Sequence, residues 1–160
     1  MTRTATVERS TSESRITVTV DLDGQPAVAL VGAPRPSAHA QQMARTLAPA
    51  RAFAGVPVIS GMALGVDAAA HRGALDGGGA TVAVLGCGAD VIYPRSERRL
   101  YERLLDDGMV LSELPPGSPA RKWTFPARNR IIAGLATLTV VVEAAARSGS
   151  LITATLAEDL

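Results

Sequence analysis

With 160 residues, the chain is long enough to bury one substantial core and short enough to be read as a single domain. Hydrophobic residues at 47% and charged ones at 19% exclude a disordered polyelectrolyte, and no apolar run approaches the ~20 residues that span a membrane. A net charge of +1 gives no bulk argument for a polyanionic partner, so any case for one must come from local clustering.

In chain order, residues 1–14 read as a flexible leader. The period-two alternation of Arg15-Ile16-Thr17-Val18-Thr19-Val20 predicts a short half-exposed strand, ended by Asp21-Leu22-Asp23-Gly24. A repeating pattern then starts at about residue 27. Apolar runs Ala27–Val31, Val56–Ile59, Thr81–Leu85, Met109–Leu111 and Leu138–Val142 predict five strands. Helices are expected over 38–53, 66–75, 97–106 and 127–135, and from 150 to the end. Short apolar runs alternating with helices imply βαβ units, hence a Rossmann-like parallel sheet with helices on both faces, a three-layer α/β/α domain over 27–160. Ligands on such sheets bind beyond the carboxyl ends of the strands, where the glycine turns of this chain fall.

The lone Cys87 excludes an internal disulfide and fits a reducing compartment. The polar amino terminus lacks the apolar region of a secretory signal, so the cytoplasm is the expected location. His39, His71 and one cysteine make no metal set, and no G-x-x-x-x-G-K-[ST] run is present. Gly86-Cys87-Gly88 has two glycines of a dinucleotide fingerprint, but Val91 stands where the third would be. Neither a cofactor nor a metal is expected.

Two runs carry the functional argument. Phe125-Pro126-Ala127-Arg128-Asn129-Arg130 gathers two arginines and an asparagine on one turn after a proline start. With Arg121 and Lys122 it forms a ten-residue stretch free of acids, while Trp123 and Phe125 set two aromatic rings amid the charge. Arginine forks suit phosphate, and an exposed ring can stack a base without selecting it. A plainly solvated basic face, with Phe125 anchored in the core, is the other reading. Ser148-Gly149-Ser150-Leu151-Ile152-Thr153 is a small-residue turn opening a helix directly after a strand, which leaves amide donors and the positive dipole end for an anion. Ser60-Gly61-Met62-Ala63-Leu64-Gly65-Val66-Asp67 does the same after the second run, although there the glycines could simply permit a tight turn with Asp67 as its cap. Glu143, at the end of the fifth run, is placed either for acid–base chemistry or for bonding backbone.

Taken together with Val84-Leu85-Gly86-Cys87-Gly88, Tyr93-Pro94, Leu111-Ser112-Glu113 and Pro115-Pro116-Gly117, these motifs resemble the DprA/Smf family (DNA-processing protein A) over about 27–158. Their order and spacing carry the likeness. The resemblance implies an extended Rossmann-like fold that binds single-stranded DNA in a basic pocket, dimerises and loads RecA during natural transformation, with no established catalysis. By position, Lys122 and Phe125 correspond to a DNA-contacting lysine and aromatic, with Arg128, Asn129 and Arg130 beside them. Ser60, Gly61, Gly65, Ser148, Gly149 and Ser150 would shape the phosphate cradle. The family's first turn reads Gly-Ser-Arg, whereas this chain has Gly32-Ala33-Pro34 with Arg35 displaced by one. The family pattern also leads us to expect a sheet incomplete at its carboxyl-terminal end, without the amino-terminal helical domain of many members. The competing expectation is a nucleotide-processing N-glycosidic hydrolase using Glu143 and Asp67, although Ser148-Gly149-Ser150 is not the Pro-Gly-Gly-x-Gly-Thr turn of the cytokinin-activating phosphoribohydrolases. A third is a nucleotide sensor without turnover.

Overall fold

The computed structural model describes residues 4–10, 15–21, 26–53, 55–145 and 148–159. Two strands, β1 (Thr4–Ser10) and β2 (Arg15–Asp21), pair antiparallel in register from Thr4 opposite Asp21 to Ser10 opposite Arg15. The first of these corrects the expectation of a flexible leader: Thr4, Thr6 and Val7 supply β-branched residues that the polar composition conceals. Residues 22–24 of the expected turn lie outside the described residues.

The remaining elements are β3 (Val28–Val31), α1 (Ala38–Phe53), β4 (Val58–Ser60), α2 (Val66–Asp76), β5 (Thr81–Val84), α3 (Arg98–Asp107), β6 (Met109–Leu111), α4 (Thr124–Leu135), β7 (Leu138–Val141) and α5 (Gly149–Glu158). The strands form a five-stranded parallel sheet in the order β6-β5-β4-β3-β7. From β3 to β6 each step moves the same way, so right-handed crossovers put α1, α2 and α3 on one face. The step from β6 back to β7 reverses direction and carries α4, followed by α5, across the other face.

The strand sequences say why both faces must be covered. β3 and β4 are buried at every position, and their side chains divide by parity. Val28, Leu30 and Val58 pack on Ala48, Ala70 and Ala74 of the first helical layer. Ala29, Val31 and Ile59 pack on Ile132 of the second. With few aromatics, the first layer closes by approach rather than by bulk: Ala44, Ala68, Ala69 and Ala70 are all essentially buried. At the seam of α2 with the sheet, the Thr81 hydroxyl donates to Val58 O at 2.8 Å. Its single hydrogen being used there, His71 Nδ1, also at 2.8 Å, is the donor to Thr81 Oγ1, and the ring is neutral, with no partner for Nε2 among the described residues. Burial, aided by the Arg128 and Arg72 charges, lowers its pKa to about 3.

Two boundaries shift for identifiable reasons. The second sheet strand begins at Val58 rather than Val56, because Pro57 has no N–H for the ladder. Helix α4 starts at Thr124, so Pro126 falls in the first turn, where amides have no helical partner to lose. The Thr124 hydroxyl donates to Gly86 O at 2.5 Å, which pins the start of α4 to the exit of β5.

Candidate nucleic-acid interface

In the order β4-β3-β7 the connections leave β3 on one side and return to its other side at β7, which makes that parallel pair the switch point of the sheet. In open α/β sheets the crevice at this point is where ligands settle. Here it is bordered by the turn after β3, the turn after β4, the start of α4 and the start of α5.

The turn after β4 is held in a conformation few sequences tolerate. Met62 is buried at φ 56° and Gly65 has φ 80°. A Cβ at Gly65 would also overlap Ala33 O, so this position demands glycine twice over. The Asp67 carboxylate fixes the turn by accepting from Gly61 N at 3.1 Å and Ala63 N at 3.4 Å. Burial pushes that carboxyl above the usual carboxylate range, opposed by the Arg128 guanidinium and the two amides. Ser60 is wholly buried, and its hydroxyl donates to Leu30 O at 2.6 Å. It braces β4 against β3 instead of facing a ligand, which corrects its place among the expected contacts.

Helix α4 sorts its cations by phase. Residues two apart differ by about 200° around a helix, so Arg128 and Arg130 cannot share a face. Arg128 points inward at 4% exposure and donates through Nη1 to Gly61 O at 2.6 Å and to Val84 O. A Cβ at Gly61 would overlap this guanidinium, so the glycine there makes room for the arginine. Arg128 is therefore a buried strut between the exits of β4 and β5, not the exposed phosphate clamp that its sequence neighbourhood suggests. Among the described residues its Nε has no hydrogen-bond partner. Arg130 is exposed and pairs with Glu113. Asn129, nearly buried, donates Nδ2 to Gly149 O at 3.0 Å and so ties α4 to the start of α5.

The result is a cleft of about 200 Å3 at the switch point. Gly32, Phe125, Arg128, Asn129, Ser148, Gly149 and Ser150, all expected from the sequence, line it together. Adjoining it across Phe125 is a second hollow of about 340 Å3, lined by Gly61, Leu64, Gly86 and Tyr93 among others. The Tyr93 ring lies 5.4 Å from that of Phe125, tilted by 38°. Lys122 and Arg35 are exposed and line neither recess, while Gly65 acts through the backbone of the turn. Sequence reasoning did not single out Tyr93 as a partner for Phe125. Its signal was the Tyr93-Pro94 dipeptide at the loop after β5. Glu143 has the plainer of its two roles: both carboxylate oxygens accept from Ser37 N, at 3.1 and 3.2 Å, and one accepts from the Ser37 hydroxyl at 2.6 Å. Those bonds hold its pKa below the ordinary glutamate value. Among the described residues no group of three or more His, Cys, Asp or Glu could hold a metal ion, and no helix is long and apolar enough to cross a membrane.

The family model for DNA recombination-mediator protein A matches residues 18–160. Protein Smf of Synechocystis sp. is 45% identical over 134 residues, which are 84% of this chain and 34% of that protein. The DNA processing protein DprA of Streptococcus pneumoniae is 54% identical over 96 residues, 60% of this chain and 34% of that one. This chain thus spans about a third of the length of these relatives. The X-ray structure of DNA processing protein A from Streptococcus pneumoniae superposes with a TM-score of 0.77 at 42% identity, covering 86% of this chain and 48% of that one. The structure of DNA processing protein A from Helicobacter pylori, which bears on single-stranded DNA binding by that protein, gives 0.81 at 30% identity, covering 98% and 77%. The molybdenum cofactor carrier protein of Chlamydomonas reinhardtii, at 22% identity and a TM-score of 0.59, shares the fold alone.

Proposed function

Because the chain belongs to the family of DNA recombination-mediator protein A, we propose that it binds single-stranded DNA along the carboxyl rim of its sheet, as a recombination mediator without catalysis of its own. One observation carries the reading: Phe125, Asn129 and the Ser148-Gly149-Ser150 helix start, far apart in sequence, converge on one cleft at the switch point. Helix-start amides and hydroxyls suit backbone phosphate, and the Phe125–Tyr93 pair offers an apolar seat for a base. Lys122 and Trp123, both exposed just before α4, would add a cation and a second ring to that rim. RecA, a second copy of the chain and a cytoplasmic setting complete the proposal at the level of the whole protein. The N-glycosidic hydrolase is the weaker reading, since the Glu143 carboxylate is occupied by Ser37 and Asp67 by the turn it braces.

Titration of labelled oligo-dT at several salt concentrations tests this. Affinity falls with a log–log slope of ~0.7 per phosphate contacted, and Lys122→Ala lowers that slope by about one such contact. Phe125→Ala costs ~1–3 kcal/mol of affinity with no change in slope. Salt-independent binding, or full affinity in both variants, would refute the site.

A further inference from the structure

We infer that Glu143 is a specificity-determining residue of the carboxyl rim: as a built-in anion at the start of α1 it keeps phosphate off the turn after β3, which leaves a strand the α4–α5 side of the switch point. The inference rests on the proposed reading as a single-strand binder and names what decides where the backbone runs.

The start of α1 carries a cap assembled from two distant parts of the chain. Ser37 stands just before the helix; its carbonyl accepts from Gln41 N at 3.0 Å and its hydroxyl accepts from Ala40 N at 3.1 Å, which makes it the N-cap. A complete capping box needs an acid three residues on, reaching back to the N-cap amide. That position is Ala40, and the first turn of α1 holds no acid. Glu143, 106 residues away at the exit of β7, supplies the missing half. Both of its carboxylate oxygens accept from Ser37 N, and one also accepts from the Ser37 hydroxyl. Its backbone oxygen accepts from Ala33 N at 2.7 Å, so the carboxylate is presented from a point fixed to the same turn.

Doubly wound sheets ordinarily receive a phosphate at this place, in the turn after a switch-point strand and against the start of the helix that follows. Here the chain's own carboxylate holds the donors. A phosphate approaching Ser37 must displace Glu143 or share one amide with it, and two anions so close repel. The other helices of that layer are similarly provided. Asp67 lies in the first turn of α2 and takes the Gly61 and Ala63 amides, and Glu97 immediately precedes α3. On the opposite face neither α4 nor α5 has an acid in its first turn. The helix starts therefore divide by layer into three served by carboxylates and two without. Glu143 stands on the boundary: it leads from β7 toward α5, yet its charge is spent on α1.

The test follows the backbone amide resonances of Ser37, Ala38, Gly149 and Ser150 in the full chain, with inorganic pyrophosphate and oligo-dT as probes. In the parent, oligo-dT should shift Gly149 and Ser150, while Ser37 and Ala38 stay unmoved by either probe. Glu143→Ala frees both donors of Ser37. Its Ser37 and Ala38 amides should then respond to pyrophosphate with an affinity about tenfold or more above the parent's, as charge-assisted hydrogen bonds provide. Its salt slope for oligo-dT should steepen by ~0.7, one added phosphate contact. A merely structural cap predicts the opposite sign, with weaker or unchanged binding. Glu143→Gln leaves a neutral acceptor on Ser37 N and decides the matter if Glu143→Ala fails to fold; its gain should be smaller and of the same sign. Ser37→Ala keeps the carboxylate on the amide and should gain nothing. A pyrophosphate or oligo-dT response at Ser37 in the parent overturns the inference, as does silence of that amide in both Glu143 variants. Capture of pyrophosphate by the Glu143 variants with no oligo-dT response anywhere supports the role of Glu143 and overturns the strand-binding function.

Discussion

His71 offers a prediction whose size can be worked from the fold. Its imidazole is wholly buried, donates to Thr81 and faces the positive charges of Arg128 and Arg72. Its pKa is about 3 in the folded chain against 6.5 for the free side chain. The unfolded chain therefore takes up a proton as pH drops through 6.5, whereas the folded chain refuses it until about pH 3. Stability from His71 is present in full above 6.5 and drains away below it. At 1.36 kcal/mol per pH unit, the full window amounts to roughly 5 kcal/mol, and about 3 kcal/mol of it is lost by pH ~4. Asp67 acts in the opposite sense, because its raised pKa lets the folded chain hold a proton longer as pH rises. A difference measurement removes that term. Urea unfolding of the parent chain and of His71→Asn, which keeps a donor for Thr81 but cannot ionise, should give stability curves that converge by about 3 kcal/mol between pH ~7 and pH ~4. Curves that stay parallel within about half a kcal/mol would refute the burial argument.

Two further predictions concern the site. Gly65→Ala should cost about 2 kcal/mol or more, because φ 80° and the Ala33 carbonyl both oppose a side chain there; thermal unfolding measures it. Arg128→Met should cost about 3–5 kcal/mol by leaving Gly61 O, Val84 O and Asp67 unmatched, while Arg130→Ala, which breaks an exposed pair with Glu113, should stay within about 0.5 kcal/mol. Equal losses in the two variants would show that the helix phase has been misassigned.

The sheet was legible because five apolar runs alternate with helical ones. What escaped were contacts between residues distant in sequence. The Ser60 hydroxyl serves a carbonyl thirty residues earlier, so its small polar side chain reads equally well as a phosphate ligand. Tyr93 and Phe125 meet only because β5 and the start of α4 end side by side. The opposite orientations of Arg128 and Arg130 follow from helix geometry, yet which one turns inward depends on a vacancy over Gly61 that local pattern does not record. Strand β1 was missed because its β-branched residues, Thr4, Thr6 and Val7, sit in a polar run that continues into Glu8-Arg9-Ser10.

Helix α4 is the chain's return path from β6 at one border of the sheet to β7 at the other, and on the way it packs beneath β3, β4 and β5. Its first turn carries Phe125. Tension on a held strand would thus enter the molecule at its middle and be shared as shear among three interior strands. Peeling, the weak failure mode of a sheet border, would not be engaged.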